Sequence, residues 1–174
     1  MGSSTIAEIA EYNNDVVDSL ELHFRELSPN FIGRSREEFR AERAARIEET
    51  DLRSAFFILV SLESDFRIDY EHRCQRRMKG DLSRAFLLIY RSRRGNATVG
   101  KKARFKEDIF KTWKKNSSAP IPRLIGDLCN AFDFRNWVAH GRYREPKPRG
   151  KYDFDDLYSL AENVLKEFKL CKPD

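Results

Sequence analysis

Apolar residues recur at three- and four-residue intervals along almost the whole chain, and this spacing limits the fold more than any other feature. It places one apolar stripe on each of a series of helices, which must then bury those stripes against one another. No stretch alternates as a half-buried strand would, and no internal repeat is visible. With 8 Gly and 6 Pro in 174 residues, long elements are favoured over tight turns. The expectation is all-α: a single-domain antiparallel helical bundle of five to seven helices over residues 1–174, with residues 50–170 as the core bundle and 1–49 as less clearly assigned N-terminal helices.

The punctuation places the elements. Ser3 or Ser4 can cap a first helix carrying Ile6, Ile9, Val16, Val17, Leu20, Phe24 and Leu27, which stops near Ser28-Pro29-Asn30. A second stretch starts at Ser35, with Glu37 and Glu38 in its first turn, where the helix dipole favours acids. A break is expected near Thr50-Asp51, with Asp51 capping an apolar helix through Phe56, Phe57, Leu59, Val60 and Leu62 toward Arg77. Lys79-Gly80-Asp81 reads as a stop and a restart, and Leu82 to Tyr90 as the next helix. Residues 91–102 read as a basic loop, and Phe105, Ile109, Phe110 and Trp113 again have helical spacing. Pro122 suits the first turn of a helix ending near Ala139, and Asp153 caps a last helix bearing Leu157, Leu160, Ala161, Val164, Leu165 and Phe168.

The net charge is +5, and it is unevenly spread. From Arg67 to Arg104 there are twelve Lys or Arg against three acids, and from Arg142 to Lys151 five against one. This asymmetry fits a phosphate-facing surface. Cys74, Cys129 and Cys171 form no paired motif, and with 3 His no zinc spacing appears, so no metal or cofactor is expected. The odd cysteine count, with no signal-peptide pattern, points to a reducing cytoplasm. The longest strongly apolar run, Phe56 to Leu62, is too short to span a bilayer, so no membrane partner is expected. Gly95-Asn-Ala-Thr-Val-Gly100-Lys101 imitates the start of a phosphate-binding loop, but Lys102 stands where a magnesium-holding Ser or Thr belongs and the segment follows a helix; a basic loop is the better reading.

The segment Phe134-Arg135-Asn136-Trp137-Val138-Ala139-His140-Gly141-Arg142-Tyr143 is the strongest chemical candidate. A guanidinium clamps phosphate and stays charged, and an imidazole moves protons near neutrality. Those two groups suffice for metal-free RNA cleavage, in which a base takes the ribose 2′-OH proton and a cation stabilises charge on phosphorus oxygens. Asn136 and His140 are four apart and share a helix face, whereas Arg135 and His140 are about 140° apart on an ideal helix. They converge if the helix ends near His140, or if a second subunit completes the site. One His cannot be acid and base at once, so a symmetric homodimer presenting two His140 side chains is expected. Trp137 and Val138 read as core, His23 and His72 as surface, and Asn130 and Asp133 as either cleft or polar helix surface.

Arg135-Asn136-x-x-x-His140, before a basic loop and a final amphipathic helix, resembles the signature of the HEPN superfamily (higher eukaryote and prokaryote nucleotide-binding domains). The resemblance covers most of residues 50–170. It implies a helical bundle acting as a metal-independent endoribonuclease on structured or tRNA-like RNA that leaves a 2′,3′-cyclic phosphate, often as a toxin or defence nuclease with a neutralising antitoxin or regulatory protein. It also implies an acidic residue on an earlier helix facing the cleft. The match is Glu63, which either accepts from Arg135 or His140 or simply pairs with Arg67 on the surface; Asp65 is the weaker choice. The implied catalytic set is Arg135, His140, Asn136 and Glu63, with Arg142, Tyr143, Arg144, Lys147, Arg149, Lys101 and Lys102 contacting RNA. The rival reading is a non-catalytic module binding RNA, a nucleotide or a protein.

Overall fold

The computed structural model describes residues 5–25, 33, 35–95, 102–140 and 152–172. Six α-helices account for most of them: α1 (Ile6–His23), α2 (Arg36–Gln75), α3 (Asp81–Gly95), α4 (Lys111–Lys115), α5 (Ile121–Ala139) and α6 (Phe154–Glu167), with a π-helical turn, Phe105–Phe110, leading into α4. No strand occurs among the described residues, so the fold is an all-α bundle of the size expected.

Local chemistry explains the starts. Thr5 and Ser35 each close a capping box, with Glu8 and Glu38 as the reciprocal partners, and Asp153 caps α6 through the Asp156 N–H. Pro122 lies in the first turn of α5. The stop between α2 and α3 uses two left-handed residues, Arg77 (φ 46°) and Gly80 (φ 115°). Glycine reaches that conformation without steric cost, which suits Gly80 to the turn that leads into Asp81 and α3.

Helix α2 is the axis of the molecule. Its 40 residues span about 60 Å, and α1, α3, α5, α6 and the π turn all pack against it. The residues it buries, Ala55, Ile58, Leu59, Leu62, Phe66, Tyr70 and Cys74, follow the three-four spacing of a single stripe. They meet Ile6 and Ile9 of α1, Phe86 of α3, Ile125, Leu128 and Phe132 of α5, and Leu157, Ala161 and Val164 of α6 in one core. Phe66 is at its centre, in edge contact with Phe105, Phe110, Trp113 and Phe168. Truncating such a residue to Ala costs about 3–5 kcal/mol.

Four expectations are corrected. Helix α2 runs unbroken through Thr50 and Asp51: the Thr50 hydroxyl bonds back to the Arg46 carbonyl, and Asp51 accepts from the buried Asn13 amide of α1 instead of capping a new helix. Thr5, not Ser3 or Ser4, caps α1. Helix α3 continues to Gly95, so the basic stretch from Arg91 begins as helix. Helix α6 stops at Glu167, and 168–172 leave it to lie along α2, where the Lys169 carbonyl and the Cys171 N–H meet Arg73 and Asp69. No helix among the described residues is long and apolar enough to cross a membrane.

Candidate active site

Helix α5 ends at Ala139, and His140 is its C-cap, with φ −90° and ψ 19° and its N–H bonded to the Asn136 carbonyl. The helix therefore ends where the sequence suggested, at Ala139. The His140 and Asn136 side chains are exposed, while Trp137 and Val138 are half-buried against the core. Five residues before the cap, Arg135 turns inward, its guanidinium 5.3 Å from the ring centroid of Phe132, three residues earlier on the same helix.

The partner of Arg135 comes from 72 residues away. Its Nη2 donates to Oε2 of Glu63, on the middle of α2. The other oxygen of Glu63, Oε1, accepts from Arg67 Nε at 2.9 Å and Nη2 at 2.7 Å. The two readings of Glu63 are thus both realised: it pairs with Arg67 one turn along and it receives Arg135. Arg67 is fixed in turn by donating from Nη1 to the Ala103 carbonyl at 3.2 Å and by lying over the Phe105 ring. One carboxylate serves two guanidiniums, so the trio retains a net positive charge at a place where both Glu63 and Arg135 are about one-fifth exposed. The Arg135 Nε is buried with no hydrogen-bond partner among the described residues.

The remaining candidates separate. Asp133, two residues before Arg135, is held by Lys106 Nζ at 2.5 Å, and the same ammonium reaches the Cys129 carbonyl at 3.1 Å. Asp65 faces the C-terminal segment and pairs with Lys172 at 2.9 Å, away from Glu63. His23 is exposed and His72 half-buried. Lys102 is exposed. Arg142, Tyr143, Arg144, Lys147, Arg149 and Lys101 lie outside the described residues, as does most of the segment imitating a phosphate-binding loop. No group of three or more His, Cys, Asp or Glu able to hold a metal ion occurs among the described residues.

In the sequence, Arg67 stands only as a competitor for Glu63. The structure makes it a member of the cluster. The signal was present in the i,i+4 spacing of Glu63 and Arg67, but spacing gives no reason for one carboxylate to accept both arginines. Comparison with known proteins yields no match, whether to a family model, a curated protein or a solved structure.

Proposed function

We propose that the chain is a metal-independent endoribonuclease of the HEPN type, cleaving RNA by attack of a ribose 2′-OH on the adjacent phosphate. The observation that carries this reading is the pairing of Arg135 with Glu63 across two helices, with His140 exposed at the cap of the same helix. A lone Arg and His five apart are common; an Arg positioned by a carboxylate from another element, stacked on an aromatic ring and part of a cluster with surplus positive charge is a preorganised phosphate receptor.

In this reading Arg135 stabilises the negative charge that grows on the phosphorus oxygens, and Glu63 holds its guanidinium in place. Asn136 contacts substrate or orients His140. His140 transfers a proton, removing it from the 2′-OH or delivering it to the 5′-oxygen as that bond breaks, and the product carries a 2′,3′-cyclic phosphate. Two copies of His140 supply both transfers, which makes a homodimer the working unit. Arg142, Tyr143, Arg144, Lys147, Arg149, Lys101 and Lys102 guide the RNA strand. A cytoplasmic toxin or defence role, restrained by an antitoxin, follows from the HEPN resemblance and from the cysteine pattern.

The test is incubation of the purified chain with total RNA and EDTA. The unaltered protein is expected to cut, and His140→Ala and Arg135→Ala each to lose at least about a hundredfold in rate. Their melting temperatures, His140→Ala above all, should stay close to that of the parent. Absence of cleavage by the unaltered chain across varied RNAs rejects the reading in favour of a non-catalytic binding module.

A further inference from the structure

Where α2 gives way to α3 there is a second basic feature, separate from the Glu63 cluster. A surface cavity of about 490 Å³ is lined by Cys74, Gln75, Arg77, Leu87, Tyr90, Arg91 and Arg94. Three of the seven are arginines and none is acidic. Several arginines elsewhere are paired: Arg46 with Glu42, Arg53 with Glu49, Arg73 with Asp69, Arg84 with Asp81 and Arg93 with Asp108. Here Arg77 and Arg91 form no ion pair among the described residues, and Arg94 donates to the Tyr90 hydroxyl at 2.8 Å while its guanidinium lies over that ring.

Exposed guanidiniums that share one concavity with no carboxylate repel one another, and an anion relieves that repulsion. The backbone brings them together: Arg77 is carried out of α2 by its left-handed conformation, and Arg91 and Arg94 follow one another by a turn at the end of α3. Guanidinium geometry suits the paired oxygens of a phosphate. The half-buried Tyr90 supplies an aromatic wall of the kind that accompanies phosphate contacts in single-strand binding. Cys74, in the cavity lining, lies on the same side of α2 as Glu63, eleven residues on, which is about 16 Å along the helix.

We propose that this cavity binds backbone phosphates of a single-stranded RNA, as a contact outside the Glu63–Arg135 cluster. The choice of RNA as the polyanion rests on the ribonuclease reading; the anion site itself rests on the three arginines.

The experiment measures binding rather than cleavage, so the two proposals fail separately. The probe is a fluorescent single-stranded 2′-O-methyl RNA, which lacks the attacking hydroxyl, titrated with the full chain over a range of salt. The triple variant R77A/R91A/R94A is expected to bind about tenfold more weakly at low salt. Its slope of log K against log salt should fall by about 2, as loss of up to three phosphate contacts requires. R77K/R91K/R94K, which keeps the charges, should retain most of the slope. The control R46A/R53A/R84A removes the same net charge from exposed ion pairs and should bind like the parent. All variants are checked by circular dichroism, and the double variant R91Q/R94Q replaces the triple if that one misfolds. Unchanged affinity and slope in the arginine variant, an equal loss in the control, or no binding by the unaltered chain each overturns the proposal. So does binding of inorganic pyrophosphate at the cavity with RNA affinity untouched. RNA bound through these arginines but never cut, when its 2′-hydroxyls are free, leaves the cavity standing and removes the ribonuclease.

Discussion

Helix α2 carries two carboxylate–arginine clusters six residues apart that use the same parts for opposite purposes. In each, an acid pairs with the arginine four residues later and reaches a distant segment: Glu63 with Arg67 and Arg135, Asp69 with Arg73 and the backbone of Cys171. The Asp69 side chain is fully buried and Arg73 is 10% exposed, whereas Glu63 is 20% and Arg67 39% exposed. Arg73 spends its remaining donors on the Ser83 hydroxyl and the Lys169 carbonyl and lies over Trp113, so it faces only protein. The Glu63 cluster keeps an edge toward solvent and one positive charge in excess. Six residues turn an ideal helix through 600°, about a third of a turn from alignment, so the two clusters face different parts of the fold, and segment 168–172 closes over Asp69 and Arg73 alone. Burial, not residue type, separates a structural ion pair from a candidate site.

The largest expected effect tests the buried half. Asp69→Ala leaves the Arg73 guanidinium buried without its counter-ion, at a cost of about 3–5 kcal/mol. For a chain of this length that is a fall of roughly 6–20 °C in melting temperature. Replacing both partners together, Asp69→Leu with Arg73→Met, should recover most of the loss, because a buried pair is weakly stabilising against well-packed apolar residues. A double variant as unstable as the single one would show that the Lys169 and Cys171 contacts, not the ion pair, carry the stability.

Glu63→Gln is the matching change in the outward cluster. It should cost about 1 kcal/mol or less in stability, since both arginines retain solvent. Cleavage should fall about tenfold as the Arg135 guanidinium loses its anchor, and Glu63→Asp should restore part of the rate. A thermal loss as large as that of Asp69→Ala would erase the distinction between the clusters.

The smallest effect is the part of the alkaline pH slope that the buried side contributes. Burial pushes the Cys74 thiol up to about 11 and raises Tyr70 as well, both within five residues of Asp69. An unfolded chain releases a thiol proton near pH 8.5. Between that value and 11 the unfolded state binds fewer protons than the folded one, so stability falls as pH rises. Melting temperatures measured from neutral to alkaline pH should show this decline. Cys74→Ala should make it shallower, and Glu63→Gln should leave it unchanged.

Most of the helices were legible from spacing, and several of their ends from single residues: Ser35 before Glu38, Gly80 before Asp81, Pro122 inside α5 and Asp153 ahead of α6. The false break at Thr50-Asp51 had a physical cause. Both residue types compete locally with helical hydrogen bonds, but with no Gly or Pro nearby, packing against α1 and the Asn13–Asp51 bond keep the helix intact. The π turn was not legible: Asp108 accepts from the Arg104 N–H and pairs with the distant Arg93, a tertiary arrangement that helical spacing does not encode. In the candidate site the position of Arg135 before the end of its helix could be read directly. Its orientation could not, because that depends on Glu63 from another element. Asp69 and Arg73 look on paper like any surface i,i+4 pair, and only the segment returning over them makes them interior.

That segment also sets an order of events during synthesis. The contacts closing the Asp69–Arg73 cluster span 96 and 102 residues of sequence. At ordinary translation speeds the second of these separates the making of Asp69 from the making of Cys171 by about 5–20 s. Until then the central helix holds a carboxylate and a guanidinium in its inward face with no lid of backbone over them. Completion of the interior is thus a late, long-range step, and the nascent bundle must keep that stripe hydrated until the segment that seals it has left the ribosome.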